Sequence, residues 1–186
     1  MSKKGENAVV KEKKIYIVLS QTGSFPSRFL KFFTHAEFNH VSISLSPDLQ
    51  IMYSFGRRFA YYPFWSGFVA ESPNFGTFKR FSNSKVLVLE LSVENEQYEE
   101  LRSRLAKMYK IKERYRYNYL GVGLAAFHIV FRQSHCYYCS EFIRDILVEC
   151  QVTDAKLLPG IVQPMDFLSI PAAKTIYQGT LNNYSY

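Results

Sequence analysis

The most reactive side chains of this 186-residue chain lie between His135 and Ile143. Within this segment, Cys139 stands where irregular chain is predicted to enter a helix. In the first turn of a helix, unpaired backbone N–H groups and the helix dipole stabilise a thiolate. The sequence therefore predicts an activated thiol at Cys139, at the rim of the core. The alternative is that Cys139 is only a small buried hydrophobe, as free cysteines often are.

A nucleophilic thiol needs a general base, and the chain has four histidines. His40 is the best placed of them, because it follows Asn39 at the start of a predicted strand. A side chain at the mouth of a strand can point into a cleft while the sheet holds its backbone. We expect the other three histidines to be structural: His35, His128 and His135.

Three short segments together resemble a known family. They are His40-Val-Ser-Ile-Ser-Leu45, Tyr53-Ser-Phe-Gly-Arg57 and Cys139-Ser-Glu-Phe-Ile143. They are similar to the circularly permuted branch of the NlpC-type, papain-like cysteine hydrolases, which includes lecithin:retinol acyltransferase-like enzymes and bacterial proteins. In that branch the histidine strand precedes the cysteine helix, as it does here. The resemblance extends over residues 15–167.

The resemblance implies a catalytic group of three residues, with Cys139 as nucleophile and His40 as general base. The third, on the next strand, orients the imidazole; by position it is Tyr53, with its neighbour Ser54 as the alternative. Glu71 is a charged alternative if the intervening segment folds back to the cleft. A phenol or hydroxyl can hold the imidazole N–H but carries no charge to stabilise an imidazolium.

The activity that the resemblance implies is hydrolysis or acyl transfer at an amide or ester bond, through an acyl-thioester. The substrate would be a small peptide or a lipid-like molecule, and no cofactor or metal would be required. Two alternatives remain open at this stage. One is a non-catalytic ligand- or lipid-binding module on the same fold. The other is a thiol redox or zinc site, because Cys136 and Cys139 have CxxC spacing and His135 and Cys150 lie near them in sequence.

Composition indicates a folded chain with one core. Hydrophobic residues make up 47% of it and charged residues 21%, which excludes a disordered protein. The net charge is +7, and part of that excess lies in the lysine-rich residues 1–14. We therefore expect no nucleic-acid partner. Basic residues interleaved with aromatic ones, at 57–62 and 107–119, favour at most a peripheral contact with anionic surfaces.

Cysteine usage and apolar runs bear on the compartment. The three cysteines lie in one short stretch and cannot staple a secreted fold, so we expect a reducing, cytoplasmic environment. The apolar run at 15–19 is too short for a signal peptide, and we expect no export signal. The run at 119–131 is too short to span a membrane and favours a buried helix.

The apolar patterns predict an α+β domain in which a small antiparallel sheet or half-barrel packs on helices. Residues 1–14 are predicted to be a disordered basic tail, and residues 15–186 a single permuted papain-like domain. Strands are predicted at 15–19, 41–45, 50–55, 85–91 and 174–178. Helices are predicted from 26 to 33, after 94, from 120 to 131 and from 139 onward. The aromatic stretch 56–81 is predicted to be an irregular excursion.

Overall fold

The computed structural model describes residues 12–21, 37–59, 61–125 and 127–186. The strands are β1 (Lys13–Gln21), β2 (His40–Ser44), β3 (Met52–Phe59), β4 (Tyr62–Glu71), β5 (Lys85–Val93), β6 (Arg116–Tyr117), β7 (Cys136–Tyr137) and β8 (Lys174–Thr180). The α-helices are α1 (Gly76–Arg80), α2 (Asn95–Lys110), α3 (Tyr119–Ala125) and α4 (Cys139–Glu149). Short 3-10 turns connect several of these elements.

Six of the strands form one antiparallel sheet in the order β4-β3-β2-β1-β5-β8. The other two, β6 and β7, make a separate parallel ladder of two residues each. The prediction of an α+β fold with an antiparallel sheet is therefore confirmed. Within the described ranges, no helix has the length and apolarity needed to cross a bilayer.

The sheet buries side chains on both faces, which explains the continuous apolar run in β1. Ile15, Ile17 and Leu19 belong to the larger core, together with residues of α2 and α4. Tyr16 and Val18 point to the opposite face and join a smaller core. Burying each of these aliphatic side chains stabilises the fold by about 1.5–3 kcal/mol. Because β1 is buried on both faces, it is held firmly in the core, and β2 pairs with it.

The prediction for residues 56–81 was wrong, because most of this stretch is a strand pair. β4 runs antiparallel to β3 with Met52 opposite Glu71 and Gly56 opposite Gly67. Pro63 and the scattered glycines suggested irregular chain. β4 is an edge strand, however, and proline is tolerated at a sheet edge. The aromatic residues of the segment are those that strands favour.

Two predicted boundaries also differ. β1 begins at Lys13, so Lys13 and Lys14 belong to the sheet and not to the tail; the Lys14 ammonium is 2.9 Å from Glu90. The helix predicted to reach residue 131 ends at Ala125, because two glycines lower the helix propensity of α3. Phe127 is 75% exposed, so this segment is not the buried helix expected. The helix predicted at 26–33 and His35 lie outside the described residues.

Gly67 offers a test of the packing between β4 and the chain before β6. A Cβ at Gly67 would lie 2.5 Å from the Tyr115 carbonyl oxygen and 2.9 Å from an Arg58 guanidinium nitrogen. We expect Gly67→Ala to lower the free energy of unfolding by about 1–3 kcal/mol, measured in urea. Gly123→Ala is the control, because a Cβ there meets nothing within 4 Å. Equal stability of the two variants would contradict this packing.

Candidate active site

The site forms where β2 and β3 separate. The two strands pair only at Ile43–Tyr53 and Ser44–Met52, so the first half of β2 is not laddered to β3. The Ser54 hydroxyl bridges part of the gap by donating to the Val41 carbonyl at 2.6 Å. Helix α4 contacts both strands. The separation leaves room for the start of α4 beside the start of β2.

His40 is held by a carboxylate from the edge strand. Its Nε2 lies 2.9 Å from Oε2 and 3.1 Å from Oε1 of Glu71. The Ser42 hydroxyl also donates to Glu71 Oε2, at 2.9 Å. The Glu71 side chain is 8% exposed and that of His40 17%. Because Nε2 is engaged with Glu71, Nδ1 is the ring nitrogen left to face another group.

Gly56 makes this contact sterically accessible. A Cβ at Gly56 would lie 3.0 Å from Glu71 Oε1 and 3.4 Å from His40 Cε1. Any side chain at this position of β3 would therefore press on both members of the ion pair. The glycine that looked like a strand end in the sequence is the position where the pair needs open space.

The second charged contact of His40 is with Cys139. Burial opposes protonation of the imidazole, but Coulomb attraction to Glu71 and hydrogen bonding with Cys139 and Glu71 outweigh it and raise the pKa of His40 to about 10. Burial likewise raises the pKa of the Cys139 thiol. Hydrogen bonding and Coulomb attraction from His40 outweigh that burial and lower the pKa of Cys139 below its ordinary value. The favoured state is a thiolate–imidazolium pair.

Two further donors support the thiolate. The backbone N–H of Val41, freed by the gap between β2 and β3, hydrogen-bonds to the sulfur and lowers the pKa of Cys139, and so does the Ser140 hydroxyl. The Ser140 Oγ lies 3.9 Å from the Cys139 sulfur. Cys139 is also the first residue of α4, and its N-cap, Tyr138, makes no side-chain capping bond. First-turn N–H groups and the helix dipole therefore stabilise negative charge here.

Tyr117 completes the surroundings of the sulfur, and the sequence reasoning missed it. β6 and β7 pair Tyr117 with Tyr137, which brings Tyr117 close to the start of α4. Burial, followed by Coulomb interaction with Cys139, raises the pKa of Tyr117 well above its ordinary value, and its hydroxyl hydrogen-bonds to Cys139. The phenol stays protonated and acts as a donor. Only the parallel pairing of two distant dipeptides brings it there, and no local sequence pattern predicts that.

The structure gives the contact with His40 to Glu71, which was the alternative, and not to Tyr53, which was the first choice. The Tyr53 ring stacks on Phe68 at 6.0 Å and meets Tyr109 edge-on at 6.2 Å. Tyr53 points to the larger core because it alternates with Ser54 along β3. Ser54 is occupied with the Val41 carbonyl. Tyr53 was ranked ahead of Glu71 because β4, which carries Glu71, was not predicted as a strand.

The remaining candidate residues lie apart from this cluster. His128 and His135 are exposed, and the His135 ring packs 5.4 Å from that of Tyr115. All three cysteines are free; Cys150 is buried at the far end of α4 and Cys136 is half-buried. Among the described residues, no three His, Cys, Asp or Glu side chains come together as a metal site would require.

Comparison with known proteins adds no relative. No protein-family model matches the sequence, and a search of curated proteins gives no significant match.

The pKa directions predict that Cys139 and Cys150 react at different pH. Cys139 is expected to be alkylated by iodoacetamide at a lower pH than an ordinary thiol, because its lowered pKa favours the thiolate. Burial raises the pKa of Cys150 to about 11, so that thiol should react only at alkaline pH. Peptide mapping by mass spectrometry measures the rate at each cysteine. Equal rates at Cys139 and Cys150 across the pH range would contradict the thiolate–imidazolium pair.

A second prediction separates Glu71 from Tyr53. Glu71→Gln keeps the shape of the side chain and removes the charge that raises the pKa of His40. The thiolate fraction at neutral pH should then fall, and alkylation of Cys139 should slow by about tenfold or more. Tyr53→Phe is the matched control and should leave the rate within about twofold, because its hydroxyl makes no contact with His40 among the described residues. A larger effect of Tyr53→Phe would reinstate the phenol as the orienting group.

Proposed function

We propose that this protein is a cysteine-dependent hydrolase or acyltransferase that acts on an amide or ester bond. The observation that carries the proposal is the buried chain of contacts from Glu71 through His40 to Cys139 at the start of a helix. A nucleophile, a base and a group that orients the base are the elements that acyl transfer through a covalent intermediate requires.

In the first half of the reaction the Cys139 thiolate attacks the carbonyl carbon and forms a C–S bond. The His40 imidazolium then gives its proton to the departing amine or alcohol as the carbonyl–heteroatom bond breaks. The product is an acyl-thioester at Cys139, and the imidazole is left neutral. Glu71 keeps Nε2 of His40 fixed throughout.

In the second half His40 acts as a base. The neutral imidazole takes a proton from water, or from an acceptor amine or alcohol, as the oxygen or nitrogen attacks the thioester carbonyl. The C–S bond breaks, the acid or transferred acyl product leaves, and the thiolate–imidazolium pair is regenerated. Whether water or an acceptor resolves the thioester decides between hydrolysis and transfer.

The oxyanion of each tetrahedral intermediate needs donors beside the sulfur. The backbone N–H of Cys139 at the start of α4 is one, since it has no intrahelical acceptor. The Tyr117 hydroxyl is the second, because it is buried, protonated and hydrogen-bonded to the same sulfur. These two groups supply the pair of donors that acyl transfer uses.

The fold assignment that goes with this proposal is a papain-like domain in permuted order. It is supported by the chain order, with the histidine strand before the cysteine helix, and by an antiparallel sheet against which that helix packs. A non-catalytic binding module would have no use for an orienting carboxylate, whereas Glu71 is buried on His40. The geometry therefore favours catalysis, and the substrate class that goes with the proposal is a small peptide or a lipid-like molecule.

Acylation by a reactive ester tests the proposal. We expect para-nitrophenyl acetate to acetylate wild-type protein once, at Cys139, with release of para-nitrophenolate, and His40→Ala to slow this reaction by about a hundredfold or more. Intact-mass measurement and peptide mapping locate the acetyl group. Cys136→Ser and Cys150→Ser are the matched controls and should keep the wild-type rate.

Either of two results would contradict the proposal. If acetyl groups spread over all three thiols, or if His40→Ala acetylates as fast as wild type, Cys139 has no assisted nucleophilicity and the protein is not a cysteine acyltransferase or hydrolase of this kind.

A further inference from the structure

Arg57 lies next to the site, and the mechanism gives it no role. It follows Gly56, the residue whose open space accommodates Glu71 and His40. In the sheet it pairs with Ser66 of β4, just before a register shift in the β3–β4 ladder. Its position raises the question of what a cation does beside a catalytic group.

The guanidinium of Arg57 lies near the α1 segment that also packs against His40. Its Cζ stands 5.5 Å from the centre of the Phe81 ring, just after α1. The ring of Phe78, within α1, is 6.5 Å from that of His40. One short helical segment therefore touches both the catalytic histidine and the arginine. Glu71 also interacts electrostatically with Arg57, which puts the arginine within Coulomb range of the catalytic group.

Arg57 has no hydrogen-bond acceptor among the described residues, although it is half-buried. Arg58 differs in this respect, since its guanidinium donates to the carbonyls of Lys112 and Tyr115 and pairs with Glu113. Burial lowers the pKa of Arg57, and Glu71 counteracts this, but a guanidinium remains charged. Among the described residues, the five N–H donors of Arg57 therefore have no hydrogen-bond acceptor.

The charge balance of the site indicates what Arg57 does there. In the ion-pair state the Cys139 thiolate and the Glu71 carboxylate outnumber the His40 imidazolium by one negative charge. An anionic substrate would be repelled by that excess. Arg57 cancels it. Arg80 adds a second cation, whose Cζ is 5.3 Å from the same Phe81 ring and which interacts electrostatically with Arg57.

We propose that Arg57 is the anchor of a substrate subsite that binds a carboxylate carried by the acyl donor. A guanidinium fork matches a carboxylate with two parallel N–H···O bonds, and the Phe81 ring supplies a flat support for the fork. The subsite rests on the proposed function and narrows it, because it makes a donor with a free carboxylate the preferred substrate class.

A pair of esters that differ only in charge tests the subsite. Mono-para-nitrophenyl adipate carries a free distal carboxylate, and its methyl ester is the neutral counterpart. Each forms a C–S bond at Cys139 and releases para-nitrophenolate. We expect the anionic ester to acylate Cys139 faster in wild type, and the ratio of the two rate constants to fall by about tenfold in Arg57→Met. Arg57→Lys should keep part of the ratio, because it retains the charge but not the fork.

Arg102→Met is the matched control for the loss of one positive charge. Arg102 lies on α2, is well exposed and pairs with Glu99, so the ratio should keep its wild-type value. An equal loss for both esters in Arg57→Met would overturn the subsite, since Arg57 would then act through Glu71 on the thiolate. Unchanged rates for both esters in Arg57→Met would overturn it as well. Failure of both esters to acylate wild-type Cys139 would instead contradict the proposed function.

A binding measurement tests whether the carboxylate subsite exists even if neither ester acylates Cys139, because binding does not require acyl transfer. Hexanoate and hexanamide have nearly the same shape and differ in charge. Hexanoate should protect Cys139 from iodoacetamide better than hexanamide does in wild type, and this difference should disappear in Arg57→Met. If hexanoate protects no better than hexanamide in wild type, or protects Arg57→Met as well as wild type, the carboxylate subsite does not exist.

Discussion

The Glu71 carboxylate fixes the His40 imidazole through Nε2 at 2.9 Å in a site from which most water is excluded, and the rest of the site depends on this contact. It supplies the charge that keeps His40 protonated against the cost of burial. The protonated imidazole in turn favours the thiolate at Cys139. Ser42 and Gly56 serve the same contact, one by donating to the carboxylate and the other by leaving it space. Without the carboxylate, the largest contribution that opposes burial and raises the pKa of His40 would be lost.

The fold builds this contact from strands that are distant in sequence. β1 is buried on both faces and holds β2 along its whole length, while β2 parts from β3 after only two paired positions. The gap exposes the Val41 N–H, admits the start of α4 and brings the edge strand's last residue, Glu71, to the histidine. A rigid centre and an open corner in one sheet thus bring together the three side chains of the candidate site, which are distant from one another in sequence.

Local pattern was enough to predict part of this arrangement. The alternation in β2 and the helical spacing from Cys139 predicted His40 at a strand start and Cys139 at a helix start. Local pattern could not show that Glu71 and Tyr117 lie in the site, because each reaches it through pairing between strands that are distant in sequence. Residues 62–71 have the aromatic content of a strand, but Pro63 and Gly67 obscured it, and an edge strand tolerates both. The exposed apolar chain around Phe127 shows the opposite error, in which hydrophobicity alone predicted burial.

The protonation state of His40 is the most direct test of whether Glu71 keeps the buried imidazole in its charged form. Nitrogen chemical shifts of the His40 imidazole, followed by NMR across a pH titration, report whether the ring is cationic. We expect an imidazolium through neutral and mildly alkaline pH, with loss of the proton near pH 10. In Glu71→Gln the proton should be lost at a lower pH. A neutral ring above the ordinary histidine pKa of about 6.5, unchanged by Glu71→Gln, would contradict it.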